Sequence, residues 1–379
     1  TKRYESLLNA IVDNRVRNRR VNNNQFGDAI PGEVWFDPRK SGVSIFGASN
    51  VYDTGIKKCI KFVLNSGHEL EVSEEHDMWV VNNGIGSKIK AKDVKLYSQV
   101  PIISGEGQFG NLSFPNEAEL LGSIIGDGSI NKDKAIFNFF GQELEYGQRL
   151  CDIASEIAGS KINFLTKEPN NKYNVKSARF TSHKIGKILK NQFGLDKKPK
   201  KVPLKIWQAN KETVSAFLRG LYSADGHSER NPSIVLSQND LDFLKEIQLL
   251  LSLFGLKSRI FNHGLEKQCF IKYANGDKFL TKRKQAWRLI IAGHYQVKKF
   301  LSNIGFGPIN KQNKASNYLS ESIFVESDRS YRTAYIIDII ETGEKQTYCL
   351  TEPMTNTVTA NGIVTGQCRC ILRHYKEVK

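Results

Sequence analysis

The sequence predicts an all-β domain that is split along the chain by an inserted α+β domain. Three observations carry that prediction. Strand-like texture occupies both flanks, from about Gly32 to Val100 and again from Tyr335 onward. The middle, from about Phe114 to Gly305, alternates helical and strand-like patterns. Within that middle, an apolar helix ending on Asp-Gly occurs twice.

The N-terminal flank reads as short strands. Gly32 to Val43 is strand, turn, strand, with Asp37-Pro38 and Ser41-Gly42 as turn signals. Cys59 to Leu64 and His68 to Val72 flank Asn65-Ser66-Gly67, a hairpin with partial period-two alternation. In the middle, Phe217 to Ala224 and Phe243 to Phe254 read as helices, and Trp287 to Ala292 as a strand. Beyond it the texture is β again, at Tyr335 to Ile340, Thr347 to Leu350 and Thr357 to Ala360. Ser104 to Gly110 and the polar stretch Asn310 to Ser316 read as linkers.

Composition bounds the function. The chain has 379 residues, 40% of them hydrophobic and 25% charged, which suits two or three globular domains. No apolar run approaches the roughly 18 residues of a membrane span, and Thr1 to Tyr4 does not read as a signal peptide. Six scattered cysteines form neither a disulfide framework nor zinc spacing, which points to a reducing cytosol; the expected setting is the cytoplasm of a bacterial or phage-infected cell. The net charge is +16. Thirteen Lys/Arg against two acids fall between Lys161 and Lys205. Such a surface suits either a phosphate backbone or plain solvation.

The doubled motif is more specific. Leu120 to Gly128 (LLGSIIGDG) is echoed by Phe217 to Gly226 (FLRGLYSADG). Each has small residues four apart, Gly122 with Gly126 and Gly220 with Ala224, so two such helices can pack backbone to backbone. The glycine after each aspartate suits a left-handed cap. Packed together, the helices bring Asp127 and Asp225 to one point, where paired carboxylates call for a cation. Hard oxygen ligands favour Mg²⁺, which can activate water for phosphodiester cleavage.

These residues resemble the LAGLIDADG homing endonucleases over roughly Phe114 to Phe306. The resemblance implies two αββαββα repeats straddling double-stranded DNA, with Asp127 and Asp225 as metal ligands. Lys197 to Pro203 is similar to the family's basic stretch, which makes Lys201 the assisting lysine, with Lys200 beside it as the next choice.

The flanks carry a second chemistry. Ser73-Glu74-Glu75-His76 places a hydroxyl three residues before a histidine that can protonate a leaving amide nitrogen. Near the other end, an apolar stretch runs through Asn361-Gly362-Ile363-Val364-Thr365-Gly366 to Gln367 and then Cys368, a side-chain amide directly before a thiol. Together with Asn50 to Lys58 and Tyr348 to Thr351, these segments resemble an intein of the Hint (Hedgehog/intein) fold. The implied division is an N-extein remnant over 1–9, the N-terminal part of the Hint domain over 10–109, and the endonuclease over 110–316. The C-terminal Hint part then covers 317–367, and 368–379 is C-extein.

Departures from the common intein pattern are informative. No cysteine precedes Cys59, so the usual first nucleophile is missing, and the junction falls between about Glu5 and Ala10. Cys349, Trp79 and Thr365 sit where class 3 inteins carry an internal nucleophile and the residues that shape its site. Cys349 then attacks the upstream junction, His76 and Ser73 assist, and Cys368 receives the acyl group. Gln367 cyclises to release the insert, without a cofactor. Gly366 replaces the usual penultimate histidine, and the other helper-histidine position falls on Asn356.

The implied partners are the intein-free host gene site and the host extein polypeptides, with no membrane, for a monomer. The alternative is a DNA endonuclease or DNA-binding protein whose Hint domain only cleaves or is inactive.

Overall fold

The computed structural model describes residues 18–21, 33–35, 43–46, 50–82, 85–102, 107, 109–169, 175–195, 200–264, 267–272, 278–321, 333–351 and 357–366. These fall into two compact units. One gathers the described residues of 1–108, 251–257 and 327–379, and the other those of 109–250 and 258–326. No helix among the described residues is long and apolar enough to cross a membrane.

The first unit is built from β1 (Asn18–Val21), β2 (Glu33–Trp35), β3 (Val43–Phe46), β4 (Asn50–Leu64), β5 (Glu69–Ser73), β6 (Asp77–Asn82), β7 (Ile85–Lys90) and β8 (Gln99–Pro101). After the second unit it resumes with three more strands. A seven-stranded sheet runs in the order β2, β7, β6, β8, Thr333–Thr351, β4, β5. Its core gathers Phe62, Leu64, Met78, Val100, Ile336 and Ile363. Alternate residues of β6 (Met78 and Val80) point inward, as a half-buried strand requires.

The two strands read within Gly32 to Val43 do not pair with each other, because β2 pairs with β7 and β3 pairs with β1. Tyr335 to Ile340 and Thr347 to Leu350 are both strand, as read. They belong to one 19-residue strand paired antiparallel with the 15-residue β4. The polar residues between them stay in the ladder because three register shifts absorb the twist, at Ile336/Asp338, Glu341/Gly343 and Thr347/Tyr348. Gly343 and Gly55 both have φ of +76°, which a side chain would resist. The hairpin at Asn65-Ser66-Gly67 forms as read, with Val63 opposite Glu69 and Gly67 at φ +86°.

The second unit holds two similar halves. The first half is α1 (Pro115–Gly126), β9 (Ser129–Asn131), β10 (Lys134–Phe140), α2 (Leu144–Ala158), β11 (Leu165–Lys167), β12 (Ser177–Ser182) and α3 (His183–Phe193). Its sheet order is β11, β12, β10, β9. A short helix α4 (Leu204–Trp207) leads to the second half. That half is α5 (Lys211–Asp225), β13 (Gly226–Glu229), β14 (Ser233–Gln238), α6 (Leu241–Leu253), β15 (Arg259–Gly264), the hairpin β16 (Lys267–Lys272) and β17 (Lys278–Arg283), β18 (Ala286–Ala292) and α7 (His294–Asn303). Its sheet order is β13, β14, β18, β15, the same topology with β16 and β17 interposed. Each half is therefore αββαββα, as expected.

Caps explain the helix limits. The Asn210 side chain accepts from the Thr213 backbone N–H at 2.9 Å, and Ser182 accepts from Ile185 at 3.2 Å. Helices α2 and α3 close on Gly159 and Gly194, both left-handed. The segment expected as a polar linker, Asn310 to Ser316, is instead part of helix α8 (Ile309–Ser320). Only Ala315 of that helix is buried, so the apolar period that would have flagged it is absent. The chain closes with β19 (Thr333–Thr351), β20 (Thr357–Ala360) and β21 (Ile363–Gly366).

Candidate functional site

In the second unit, α1 and α5 pack through their small residues. A Cβ on Gly122 would collide with the Phe217 carbonyl oxygen, and one on Gly220 with the Glu119 carbonyl oxygen. The two contacts lie equally far before Asp127 and Asp225, so the pair has a local two-fold symmetry. A Cβ on Gly126 would strike the Cβ of Ala224. The backbones thus touch for the whole last two turns.

That packing delivers the two acids together. Asp127 caps α1, and Asp225 is the last residue of α5. Burial and the neighbouring Asp127 carboxylate push Asp225 up to about 6. Two groups oppose the rise, the Lys200 charge and a hydrogen bond from the Gln238 amide nitrogen to Asp225 Oδ2. Lys200 Nζ donates to the Ile125 carbonyl at 2.8 Å and to Gln238 Oε1 at 3.4 Å. Lys201, the sequence-favoured lysine, is exposed one residue further on, while Lys200 is the one turned to the carboxylates.

The glycines after the acids are not left-handed caps. Gly226 has φ of −91° and leads directly into β13. A Cβ there would lie 2.5 Å from the Tyr222 carbonyl oxygen, so glycine is needed for space.

Sequence reasoning missed Lys311. Its Nζ donates to the carbonyls of Ser223 at 2.6 Å and Ala224 at 3.3 Å, and pairs with Glu143 at 3.1 Å. Ser223 precedes Asp225 by two, as Ile125 precedes Asp127. Lys311 is thus the counterpart of Lys200 at the other helix end. A lysine following a second Asp-Gly repeat was the available signal, hidden because its helix reads as polar.

Beneath the acids lies a buried carboxylate, Glu119, with its side chain 3% exposed. It accepts from Arg149, from Tyr146 Oη at 3.1 Å, and from Arg219 Nε and Nη2 at 3.3 Å each. These partners satisfy the charge and fix the α1–α5 pair from below.

The donor set suits a hard divalent cation. Two carboxylates meet where one is already pushed toward protonation, which a cation between them would reverse. Among the described residues no group of three or more His, Cys, Asp and Glu gathers.

In the first unit, the Ser-x-x-His spacing is a tight turn. The His76 N–H donates to the Ser73 carbonyl at 2.9 Å, and Ser73 itself is buried opposite Cys59. The turn aims His76 at β21, where Nε2 lies 2.8 Å from Thr365 Oγ1. Thr365 Oγ1 also donates to the Asp77 carbonyl at 3.2 Å. The Trp79 indole N–H donates to Thr357 Oγ1 at 3.3 Å, and Lys88 Nζ sits 4.9 Å above its ring. Cys349 lies near the end of β19 opposite Tyr52, 5% exposed and not in a disulfide. Gln367, Cys368, Asn356 and the N-terminal junction lie outside the described residues.

Gly366 has a steric reason to be glycine. A Cβ there would lie 2.5 Å from the Asp77 carbonyl oxygen and 2.7 Å from the Asp77 Cβ. The strand position at Gly366 therefore has no room for a side chain.

Residues 212–305 match the LAGLIDADG-like domain family. The chain carries a LAGLIDADG-like domain. Over 97% of its length it is 26% identical to the ribonucleoside-diphosphate reductase NrdEB subunit alpha of Bacillus subtilis (strain 168), spanning 34% of that protein. It is also 26% identical to the replication factor C small subunit of Pyrococcus horikoshii over 71% of its length, which is 27% of that protein. A third relative, the ribonucleoside-diphosphate reductase large subunit of Invertebrate iridescent virus 6, is 32% identical over 41% of the chain and 16% of that protein. The chain thus spans about a third or less of these relatives. Among solved structures, I-DmoI in complex with DNA and Mn is 17% identical, covering 50% of this chain and 96% of that one at a TM-score of 0.33. The homing endonuclease I-WcaI bound to its DNA recognition sequence is 17% identical, covering 54% and 88% at 0.35.

Proposed function

We propose that the chain is a self-splicing intein with an internal cysteine nucleophile, and that its LAGLIDADG-like unit is a divalent-metal-dependent, site-specific DNA endonuclease. The observation that carries the splicing reading is the 2.8 Å contact between His76 and Thr365, residues 289 apart that meet in one β unit. Support also comes from the relatives. A ribonucleoside-diphosphate reductase subunit and a replication factor C subunit are different proteins, yet each is matched by this chain over a minor part of its length. An insert that removes itself explains such a distribution.

The chemistry runs in four steps. The Cys349 thiolate attacks the carbonyl carbon before the insert, so a C–S bond forms and the C–N bond breaks. His76, held by Thr365, gives the departing nitrogen its proton. The acyl group then passes to the Cys368 sulfur, and Cys349 regains a thiol. The Gln367 side-chain nitrogen attacks its own carbonyl, closing a six-membered imide and freeing the Cys368 amine. That amine takes the acyl group from sulfur, which leaves a peptide bond between the flanks.

In the second unit, Asp127 and Asp225 would hold Mg²⁺, which when bound supplies an activated water and charge for phosphodiester cleavage. Lys200 stands ready for a backbone phosphate. The outer sheet faces carry groups suited to duplex DNA. Asn138 lies opposite Arg179, and Phe261 opposite Arg288.

Mass spectrometry of the chain expressed between longer flanks tests the splicing reading. Release of a piece ending at Gln367 with the flanks joined is the expected result, lost in Cys349→Ala. Splicing that survives Cys349→Ala refutes the internal nucleophile. Cleavage without joining would favour the alternative, a Hint domain that only cuts.

A further inference from the structure

Three successive carbonyls of the turn that carries His76 are held from one short segment. The Glu74 carbonyl accepts from the Lys92 backbone N–H at 3.0 Å, and the His76 carbonyl accepts from the Ala91 N–H at 2.8 Å. Between them, the Glu75 carbonyl accepts from a side chain, the Lys90 ammonium, at 3.0 Å. The same ammonium donates to Asp77 Oδ1 at 2.7 Å. Lys90, the last residue of β7, therefore grips the residue before His76 and the residue after it. Its bond to the half-buried Asp77 carboxylate is charge-assisted, the stronger kind.

Asp77 passes that grip on. Its carbonyl accepts from Thr365 Oγ1 at 3.2 Å, and Thr365 Oγ1 lies 2.8 Å from His76 Nε2. The Asp77 backbone also bounds the space at Gly366. One ammonium thus ties together both neighbours of the histidine, the threonine that the histidine meets, and the end of β21. His76 itself falls between β5 and β6, where its N–H closes the turn on the Ser73 carbonyl. No strand ladder sets its backbone there, so the aim of its ring depends on how residues 75 and 77 are held. Lys92 makes a useful contrast. Its ammonium pairs with the Glu75 carboxylate at 2.6 Å, a contact between exposed side-chain tips.

We propose that Lys90 is a positioning residue for the first step of splicing. By holding Glu75 and Asp77 it sets the His76 ring where that ring can give its proton to the nitrogen leaving the upstream junction. The inference rests on the splicing reading above. The step balances as before: the bond from Cys349 sulfur to the carbonyl carbon forms, the C–N bond breaks, and the His76 proton goes to the departing nitrogen. Lys90 neither gives nor takes a proton in it. Its contribution is geometric, and such steps are steep in geometry, where a displacement of about 1 Å can cost on the order of 10²-fold. The backbone bonds at Glu74 and His76 persist without Lys90, so the loss expected from removing it is smaller than that.

The test uses the full chain between longer flanks, with hydroxylamine added to intercept the acyl group on sulfur. Release of the upstream flank then reports the first step. Lys90→Met should release it about tenfold more slowly. Lys90→Arg keeps a cation with donors for both acceptors and should recover most of the rate. Lys92→Met removes the same charge from the same turn and should stay within about twofold of the unaltered chain. With isotope-labelled histidine, the His76 ring signals, assigned by their loss in His76→Gln, should move in Lys90→Met and return in Lys90→Arg. Asp77→Ala cuts one of the two anchors and should slow release by a smaller factor; it decides the matter if Lys90→Met fails to fold in thermal unfolding, and an unslowed Asp77→Ala then overturns the inference. Release from Lys90→Met as fast as from the unaltered chain overturns the inference and leaves the splicing reading standing. Equal slowing in Lys92→Met, or no recovery in Lys90→Arg, also overturns it, since lost charge or lost packing would then be the cause. An unaltered chain that releases no flank overturns both readings.

Discussion

Replacing Asp225 with asparagine should make the second unit more stable while destroying its cutting. The carboxyl ordinarily titrates near 3.8 and is pushed to about 6 by burial and by Asp127. Between those values the folded state binds the proton that the unfolded state has released. Stability therefore falls as pH rises from about 4 to 6 and stays depressed above that. A shift of that size corresponds to about 3 kcal/mol at pH 8, at ~1.36 kcal/mol per unit. Asp225→Asn removes the charge, keeps the shape, and leaves Gln238 a side chain it can still pair with. In a unit of this size each kcal/mol moves the melting temperature by roughly 2–4 °C, so calorimetry at pH 8 should show a rise of roughly 6–12 °C. The gain should shrink steadily as pH falls below 6 and vanish only well below 3.8, where the carboxyl is protonated in both states. Millimolar Mg²⁺ should stabilise the unaltered protein and not the variant. A variant no more stable at pH 8, or a gain that persists unchanged at pH 4, would refute the crowding of the two carboxylates.

Three further outcomes are expected. Gly122→Ala should destabilise the second unit by about 1–3 kcal/mol in urea unfolding, because the Phe217 carbonyl it meets is backbone; a stabilised variant, as helix propensity alone would give, would show that the helices are not in backbone contact. His68 is fully buried, bonded to Ser66 Oγ at 2.8 Å, and lowered by desolvation to about 4; the first unit should lose about 3 kcal/mol as pH falls from about 6.5 to 4, a loss that His68→Gln removes in acid unfolding followed by Trp79 fluorescence. Gly366→His should slow release at Gln367 and destabilise the first unit by about 1–3 kcal/mol, since the added side chain meets the Asp77 backbone; faster release on gels would contradict the packing.

What was legible in the sequence was whatever recurs at fixed spacing. Small residues four apart, twice, before Asp-Gly described the α1–α5 contact; that Ser-x-x-His is a turn closed by one hydrogen bond came from the structure. What escaped depended on distant partners. Helix α8 buries one residue and is held by Lys311 reaching carbonyls 88 and 87 residues away, so no local pattern marks it. The long β19 crosses polar residues because β4 supplies its ladder from the other side of the insertion. The choice between Lys200 and Lys201 turned on which of two adjacent side chains faces Asp225, and in an irregular segment no periodicity decides that.

The site combines choices that each work against stability. The C-terminal end of a helix carries partial negative charge, so an aspartate there is unfavourable, and here two helices each place one there. The two acids are then pressed together by glycine contacts that weaken both helices. Lys200 and Lys311 answer the carbonyls that the helix ends leave open, and in doing so bring cations to the same point. A purely structural design would satisfy those carbonyls with the lysines and omit the aspartates. Keeping both signs of charge at one crowded place makes sense when a cation and a phosphate are to be bound there, with each lysine leaving its carbonyl for the phosphate as the substrate arrives. Lys200, exposed and facing Asp225 beside the Gln238 amide, is placed to do so.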